Sequence, residues 1–91
     1  MYTFNVGLPA CQEGRLEVAR ELCARGANVN AVRTNDGVTA LYLASFQGHL
    51  EITRLLLAKD ADKSATTTGG HTAFNAAKGL HKAALQALLK L

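Results

Sequence analysis

The side chains with most chemical potential in this sequence are two cysteines and three histidines. Cys11 and Cys23 could act as nucleophiles if a neighbouring histidine accepted the thiol proton. The histidines are His49, His71 and His81. On the repeat pattern described below, neither thiol shares a surface with an imidazole. We therefore expect no thiol catalysis and no enzyme activity.

Metal and phosphate sites also require particular spacings. Cys11 and Cys23 are 12 residues apart, whereas zinc sites use close pairs such as Cys-x-x-Cys. Residues 66–70 read Thr-Thr-Thr-Gly-Gly and precede a predicted helix. They lack the Gly-Lys-Ser/Thr sequence of a phosphate-binding loop. We expect a hairpin tip at this segment, and neither a metal ion nor a cofactor.

Composition limits the class of protein further. Apolar residues make up 48% of the chain and charged residues 19%, as in ordinary folded domains. The net charge of +3 comes from scattered lysines and arginines, so we expect no nucleic-acid partner. The N-terminus lacks the features of a signal peptide, and the longest apolar runs are too short to span a membrane. These features predict an intracellular, cytoplasmic protein with free thiols and no membrane partner.

The elements that position these residues repeat along the chain. Residues 10–31 match residues 44–65 at an offset of 34, and residues 70–89 match residues 37–56 at an offset of 33. Self-similarity at such a period is typical of a stacked repeat architecture. It predicts one domain over residues 1–91 that consists of three units. The first, middle and third units cover about residues 3–34, 35–66 and 67–91.

The middle unit predicts two short helices and a turn. Thr39 is a suitable N-cap for a helix over residues 40–47, and Gly48 can end it with a positive φ. A second helix follows over residues 50–59. Asp60 then takes the place of a glycine in the first unit and is expected in the left-handed region. The stretch before Thr39 predicts a polar turn or hairpin that closes near an Asp-Gly pair.

An apolar stripe at helical spacing predicts the core. One helix pair cannot bury its stripe alone, so about three stacked units are needed for stability. The predicted core residues are Val18, Leu22, Leu41, Leu43, Ala44, Ile52, Leu55, Leu56, Phe74, Ala77, Leu85, Leu88 and Leu89.

The middle unit resembles a known repeat. Residues 39–57, TALYLASFQGHLEITRLLL, are similar to the ankyrin pattern Thr-Pro-Leu-His-x-Ala-Ala-x-x-Gly-His-x-x-Ile/Val-Val-x-x-Leu-Leu. Residues 26–31, GANVNA, resemble the boundary sequence Gly-Ala-Asp-Val-Asn-Ala. Tyr42 and Asn75 replace the histidine of the pattern, and alanines replace its proline. The resemblance implies an all-α ankyrin-repeat solenoid of stacked helix-turn-helix units with short hairpin loops.

The same resemblance implies that the chain binds another protein through a concave face of hairpin tips and first helices. Phe46 is the strongest candidate, because an exposed aromatic flanked by polar groups makes a good anchor. The alternative for Phe46 is packing against a neighbouring unit, and for the charged tip residues it is a solvated turn. The implied contact residues are Gln12, Glu13, Arg33, Asn35, Asp36, Val38, Phe46, Gln47, Thr68, His71 and Leu80.

Two other hypotheses stay open. The alanine-rich end KAALQALLKL is typical of a simplified terminal repeat, as in an engineered or minimal scaffold with no natural partner. The final helix pair is also expected to expose a face that a further repeat would cover. A second copy of the chain could bind there in a weak homo-association.

Overall fold

The computed structural model describes residues 14–33, 35–79 and 81–90. Within these ranges the chain forms five α-helices and no extended strand, as the repeat pattern predicts. Val32 and Thr39 form one isolated antiparallel bridge at the base of a short hairpin. The helices are α1 (Leu16–Ala24), α2 (Ala40–Phe46), α3 (Leu50–Ala58), α4 (Ala73–Ala76) and α5 (Lys82–Leu89).

Threonines begin the first helix of the middle and third units. The Thr39 hydroxyl accepts a hydrogen bond from the Tyr42 N–H at 3.1 Å, which caps α2. Thr72 caps α4 in the same way, and the Asn75 side chain accepts the Thr72 N–H in return. This capping box holds a helix of only four residues.

The helix ends confirm the predicted left-handed positions. Gly48, after α2, has a φ of 77°. Gly26 after α1 has a φ of 82°, and Asp60 after α3 has a φ of 66°. Both predicted helices of the middle unit end one residue earlier than expected, at Phe46 and Ala58. The second helices of the first and middle units therefore end at equivalent residues.

The helices stack in two layers. In one layer α2 packs against α4, and in the other α3 packs against both α1 and α5. The pairs α2–α3 and α4–α5 close each unit. Ala40 and Ala44 of α2, like Ala73 and Ala77 of the third unit, are buried. Small side chains allow the two first helices to approach closely.

The core lies between these layers and contains most of the predicted stripe. Leu22, Leu55, Phe74 and Leu88 are half-buried. The polar Ser45 and Thr53 are also buried, and each hydroxyl bonds to a backbone carbonyl four residues earlier. The predicted residues found buried are Leu41, Leu43, Ala44, Ile52, Leu56, Ala77, Leu85 and Leu89.

Val18 was predicted in the core, and this prediction is wrong: its side chain is 45% exposed. The next residue, Ala19, is buried instead. Ile52 holds the equivalent position on α3 and is 2% exposed. Among the described helices, α3 packs between α1 and α5, whereas α1 has its principal contact with α3.

Candidate interaction surface

Two charged residues close the first hairpin tip, defined here as Arg33 together with residues 35–38. The Arg33 Nη2 lies 2.7 Å from the Asp36 Oδ2, and the Arg33 Nε donates to both carboxylate oxygens. The hydrogen bond from Arg33 lowers the pKa of Asp36 below its ordinary value. The backbone N–H of Arg33 also donates to the Val38 carbonyl at 2.9 Å. The tip is therefore a hydrogen-bonded turn whose charged side chains stay partly exposed.

The second hairpin tip, residues 67–71, is joined to the first by main-chain contacts. The Thr68 N–H donates to the Asp36 carbonyl at 2.9 Å, and the Thr68 hydroxyl donates to the same oxygen at 3.3 Å. A side chain at Gly37 would lie 3.1 Å from the Thr68 nitrogen. Glycine at this position therefore permits the two tips to approach.

The second tip is itself hydrogen-bonded. The Thr67 N–H donates to the His71 carbonyl at 2.9 Å, and the Gly70 N–H donates to the Thr67 carbonyl at 2.9 Å. Thr68 and His71 are exposed at its surface. The Thr-Thr-Thr-Gly-Gly sequence thus forms the hairpin turn that was expected of it.

A groove of about 410 Å³ runs beside these tips, between α2 and the third unit. Phe46 on its wall is 38% exposed. Its ring stacks on Tyr42, with 6.3 Å between centroids and 16° between planes. The Lys78 Nζ lies 4.0 Å from the centroid of the same ring. The side chains that shape the groove include Tyr42, Phe46, His71, Asn75, Lys78 and Lys82.

Both interpretations of Phe46, an anchor for a partner and packing against a neighbouring unit, therefore have a matching feature. The ring is exposed, as an anchor requires, and it contacts Lys78 of the third unit, as packing between units requires. A cation over an aromatic ring contributes about 0.5–1 kcal/mol at an exposed site. This free energy is small enough for a bound partner to shift Lys78 relative to the Phe46 ring.

The predicted contact residues fall into three groups. Val38 is only 6% exposed, so it packs inside the protein and does not present a surface to a partner. The prediction that Val38 is a contact residue is therefore wrong. Gln12, Glu13 and Leu80 lie outside the described residues. The others lie on the two tips or at the end of α2: Arg33, Asn35, Asp36, Phe46, Gln47, Thr68 and His71.

Sequence reasoning did not select Tyr42, Lys78 or Lys82. Tyr42 lies one helical turn before Phe46, and that spacing could have indicated a shared face. Gly79, with a φ of 85°, indicates an earlier end for α4, but not one as early as Ala76. The register with α2 would carry α4 to residue 79, but Ala77 adopts an extended ψ of 129°. Lys78 follows this break directly and reaches the Phe46 ring.

Cys23 does not have the environment of a reactive thiol. Burial raises its pKa, and the nearby Lys59 opposes that effect more weakly. A raised pKa keeps the thiol protonated and therefore a poor nucleophile. Cys11 lies outside the described residues. Within the described ranges, no group of three metal-ligating side chains occurs, and no helix is long and apolar enough to cross a membrane.

A second, smaller cleft of about 210 Å³ lies at the outer end of the third unit. Phe74 and Leu89 form its apolar part, and Lys63 and Lys90 flank it. The Lys63 Nζ donates to the Lys90 carbonyl at 3.2 Å. This cleft is on the helix pair that was considered for self-association.

Comparison with known families identifies the type of repeat. A family model described as ankyrin repeats, in three copies, matches residues 8–67 of the 91. The match includes α1 to α3 and the first hairpin tip, while α4 and α5 lie beyond it. No curated protein matches the sequence.

Proposed function

This chain belongs to the ankyrin-repeat family, and we propose that it binds a partner protein through the face that carries the two hairpin tips and the exposed end of α2. Ankyrin repeats are generally protein–protein interaction modules without enzymatic activity. Stacked repeats present an extended surface instead of an enclosed cleft, and such a surface suits another protein. We infer that this chain, too, is not an enzyme.

The single observation that carries the proposal is the exposure of Phe46 on the wall of a groove. Large aromatic side chains provide much of the binding energy at protein interfaces. Phe46 has polar neighbours at the groove, which is the usual arrangement of an anchor inside a polar rim.

The hydrogen bonds between the tips support the same proposal. Asp36 and Thr68 hold the two tips in fixed register, and Arg33 holds the Asp36 side chain. Ordering a flexible loop on binding costs free energy. A surface whose loops are already fixed avoids much of that cost.

The proposed contact set and organisation follow from these features. We propose a single domain over residues 1–91 and keep a cytoplasmic location as a prediction from the two cysteines. Gln12, Glu13 and Leu80 stay predicted contacts by repeat position. The contacts proposed from the described residues are Arg33, Asn35, Asp36, Phe46, Gln47, Thr68 and His71.

The test is capture of proteins from a cell extract by three immobilised forms of the chain, with quantitative mass spectrometry. The forms are the original, the pair Phe46→Ala with Gln47→Arg, and the control Arg54→Ala at an exposed position of α3. We expect some proteins to bind the original and the control but not the groove variant. Direct titration with one of these proteins, purified, then confirms the loss. Equal capture by all three forms would place binding elsewhere, and no capture would favour the minimal scaffold.

Self-association is the second candidate, favoured by the apolar cleft at the end of the third unit. Two identical copies that met at this cleft about a two-fold axis would also bring Lys63 and Lys90 of each copy together. Like charges in close contact oppose association, which ranks this candidate below partner binding. Light scattering over a range of concentrations tests it, and a constant monomer mass would exclude it.

A further inference from the structure

Charge is distributed unevenly along the chain. All seven acidic residues lie at or before Asp62. Residues 63–91 contain four lysines, Lys63, Lys78, Lys82 and Lys90, and no aspartate or glutamate. Three of these lysines lie in the third unit, whose charge of +3 equals the net charge of the protein.

Two of these lysines lie at the groove beside Phe46. Lys78 and Lys82 both line it and are exposed. Among the described residues that line the groove, none carries a carboxylate. The acidic residue on the neighbouring tip, Asp36, is already paired with Arg33 at 2.7 Å. The groove is thus positively charged without an internal counter-charge in the described part of the chain.

The Phe46 ring positions one of these charges at the groove. The Lys78 Nζ lies 4.0 Å from the Phe46 ring centroid, so the ring holds the ammonium at the groove wall. An ammonium group has three N–H donors. The ring covers only one side of it, and the remaining donors can bind a carboxylate in a charge-assisted hydrogen bond.

We propose that this groove binds an acidic linear segment of a partner protein. Carboxylates of the segment bind Lys78 and Lys82, and an apolar side chain packs against the exposed edge of the Phe46 ring, which Lys78 and Tyr42 leave uncovered. This inference rests on the proposed function and specifies the chemistry of the partner.

The same contacts favour a peptide over a nucleic acid. Single-stranded nucleic acids bind by stacking bases on open aromatic faces. Lys78 already lies over the Phe46 ring, and Tyr42 stacks on that ring. Single-strand binding proteins also use a positively charged groove that follows the backbone over several nucleotides, whereas this groove has two lysines. Mixed carboxylate and apolar side chains match its two lysines and two aromatic rings better.

The experiment is selection of random linear peptides, displayed on phage, against three forms of the full chain. The forms are the original, the double variant Lys78→Glu with Lys82→Glu, and the control Arg54→Glu with Lys59→Glu. The control makes the same change in net charge on exposed residues of α3 and its C-terminal end. Thermal unfolding by circular dichroism confirms that all three forms fold.

We expect the original and the control to select peptides rich in Asp and Glu, with an aromatic or aliphatic residue nearby. The groove variant should lose this preference. A selected acidic peptide, labelled for fluorescence anisotropy, should bind the groove variant about tenfold more weakly than the original. Added salt should weaken binding to the original form.

Other results would overturn the inference in distinguishable ways. Selection of apolar or basic peptides contradicts an acidic partner, and so does selection of acidic peptides that bind the groove variant as tightly as the original. Either result leaves the proposed function, binding of a partner protein, standing. Tighter binding of a mixed-sequence single-stranded oligonucleotide than of the acidic peptide contradicts the choice of a protein segment. If no peptide is selected while capture of proteins still depends on Phe46, the proposal of a linear segment is wrong and the proposed function stands. If both fail, the proposed function fails as well.

Discussion

The Asn30 side-chain oxygen accepts a hydrogen bond of 2.8 Å from the backbone N–H of Asp62. The Asn30 amide also donates to the Asp60 carbonyl at 3.4 Å. One side chain at the end of the first unit therefore joins the turn that ends the middle unit. At the equivalent place in the next boundary stands Ser64, whose N–H and hydroxyl both donate to the Asp62 carboxylate within the same turn.

We predict that Asn30→Ala lowers the free energy of unfolding by about 1 kcal/mol, since a net hydrogen bond contributes about 0.5–1.5 kcal/mol. In a domain of this size that corresponds to roughly 4–8 °C in melting temperature. Thermal unfolding followed by circular dichroism measures the change. Asn35→Ala, at an exposed tip residue, is the matched control and should leave the melting temperature nearly constant. Equal effects of the two substitutions would show that Asn30 does not link the units.

Leu56 is fully buried, and Leu56→Ala should cost about 2–5 kcal/mol through lost burial and the cavity left behind. For a domain with a small core this is enough to unfold much of the population. The comparison is Val18→Ala, which removes an apolar group from a side chain that is 45% exposed. We expect Val18→Ala to cost well below about 1 kcal/mol. Urea denaturation of both variants tests the core assignment and the correction at Val18 together.

Phe46 and Lys78 should be energetically coupled. A double-mutant cycle with Phe46→Ala, Lys78→Ala and the double variant isolates the pair, and we expect a coupling free energy of about 0.5–1 kcal/mol. Phe46→Leu is the control, because it keeps apolar volume but removes the ring. If the coupling free energy is near zero and Phe46→Ala still weakens partner binding, Phe46 is an anchor only. Strong coupling without an effect on binding would identify it as packing between units.

Asp60 occupies the left-handed region with a φ of 66°, whereas the first unit has Gly26 at this place with a φ of 82°. A side chain in this region costs about 1–2 kcal/mol relative to ordinary helical geometry. Asp60→Gly should therefore raise stability by up to about 1 kcal/mol, less the entropy that glycine gains in the unfolded chain. Gly26→Ala should lower it by about 1 kcal/mol, since no atom lies within 4 Å of the added carbon and only backbone strain acts. Chemical denaturation of both variants checks the opposite signs.

Acid should weaken the first hairpin tip. Hydrogen bonding from Arg33 lowers the pKa of folded Asp36 below the ordinary value of 3.8. The stabilisation is fully present above that ordinary value and is lost as the pH falls from there through the lower folded-state pKa. Asp36→Asn lacks the titrating group, so its stability should fall less steeply in the same range. Urea midpoints of both proteins between neutral and strongly acidic pH measure this, and parallel curves would exclude a contribution from the pair.

Local features of the fold were predictable because each depends on a few neighbouring residues. Thr39 indicated a helix start, and Gly48 and Asp60 indicated helix ends, since capping and left-handed turns are decided within one helical turn. The repeat offset made the family assignable from the same residues. The apolar spacing identified most of the core, including Leu56 and Leu85.

The sequence by itself thus determined the repeated helix pairs, their caps and the family. Only the tertiary structure decided which exposed residues share a surface. Val38 is buried and Val18 exposed because burial depends on what neighbouring units place above each side chain. Lys78 reaches Phe46 because α4 ends early, a contact across 32 residues that no local pattern encodes. Periodicity within a unit specifies the helices, whereas packing between units positions the side chains of the groove.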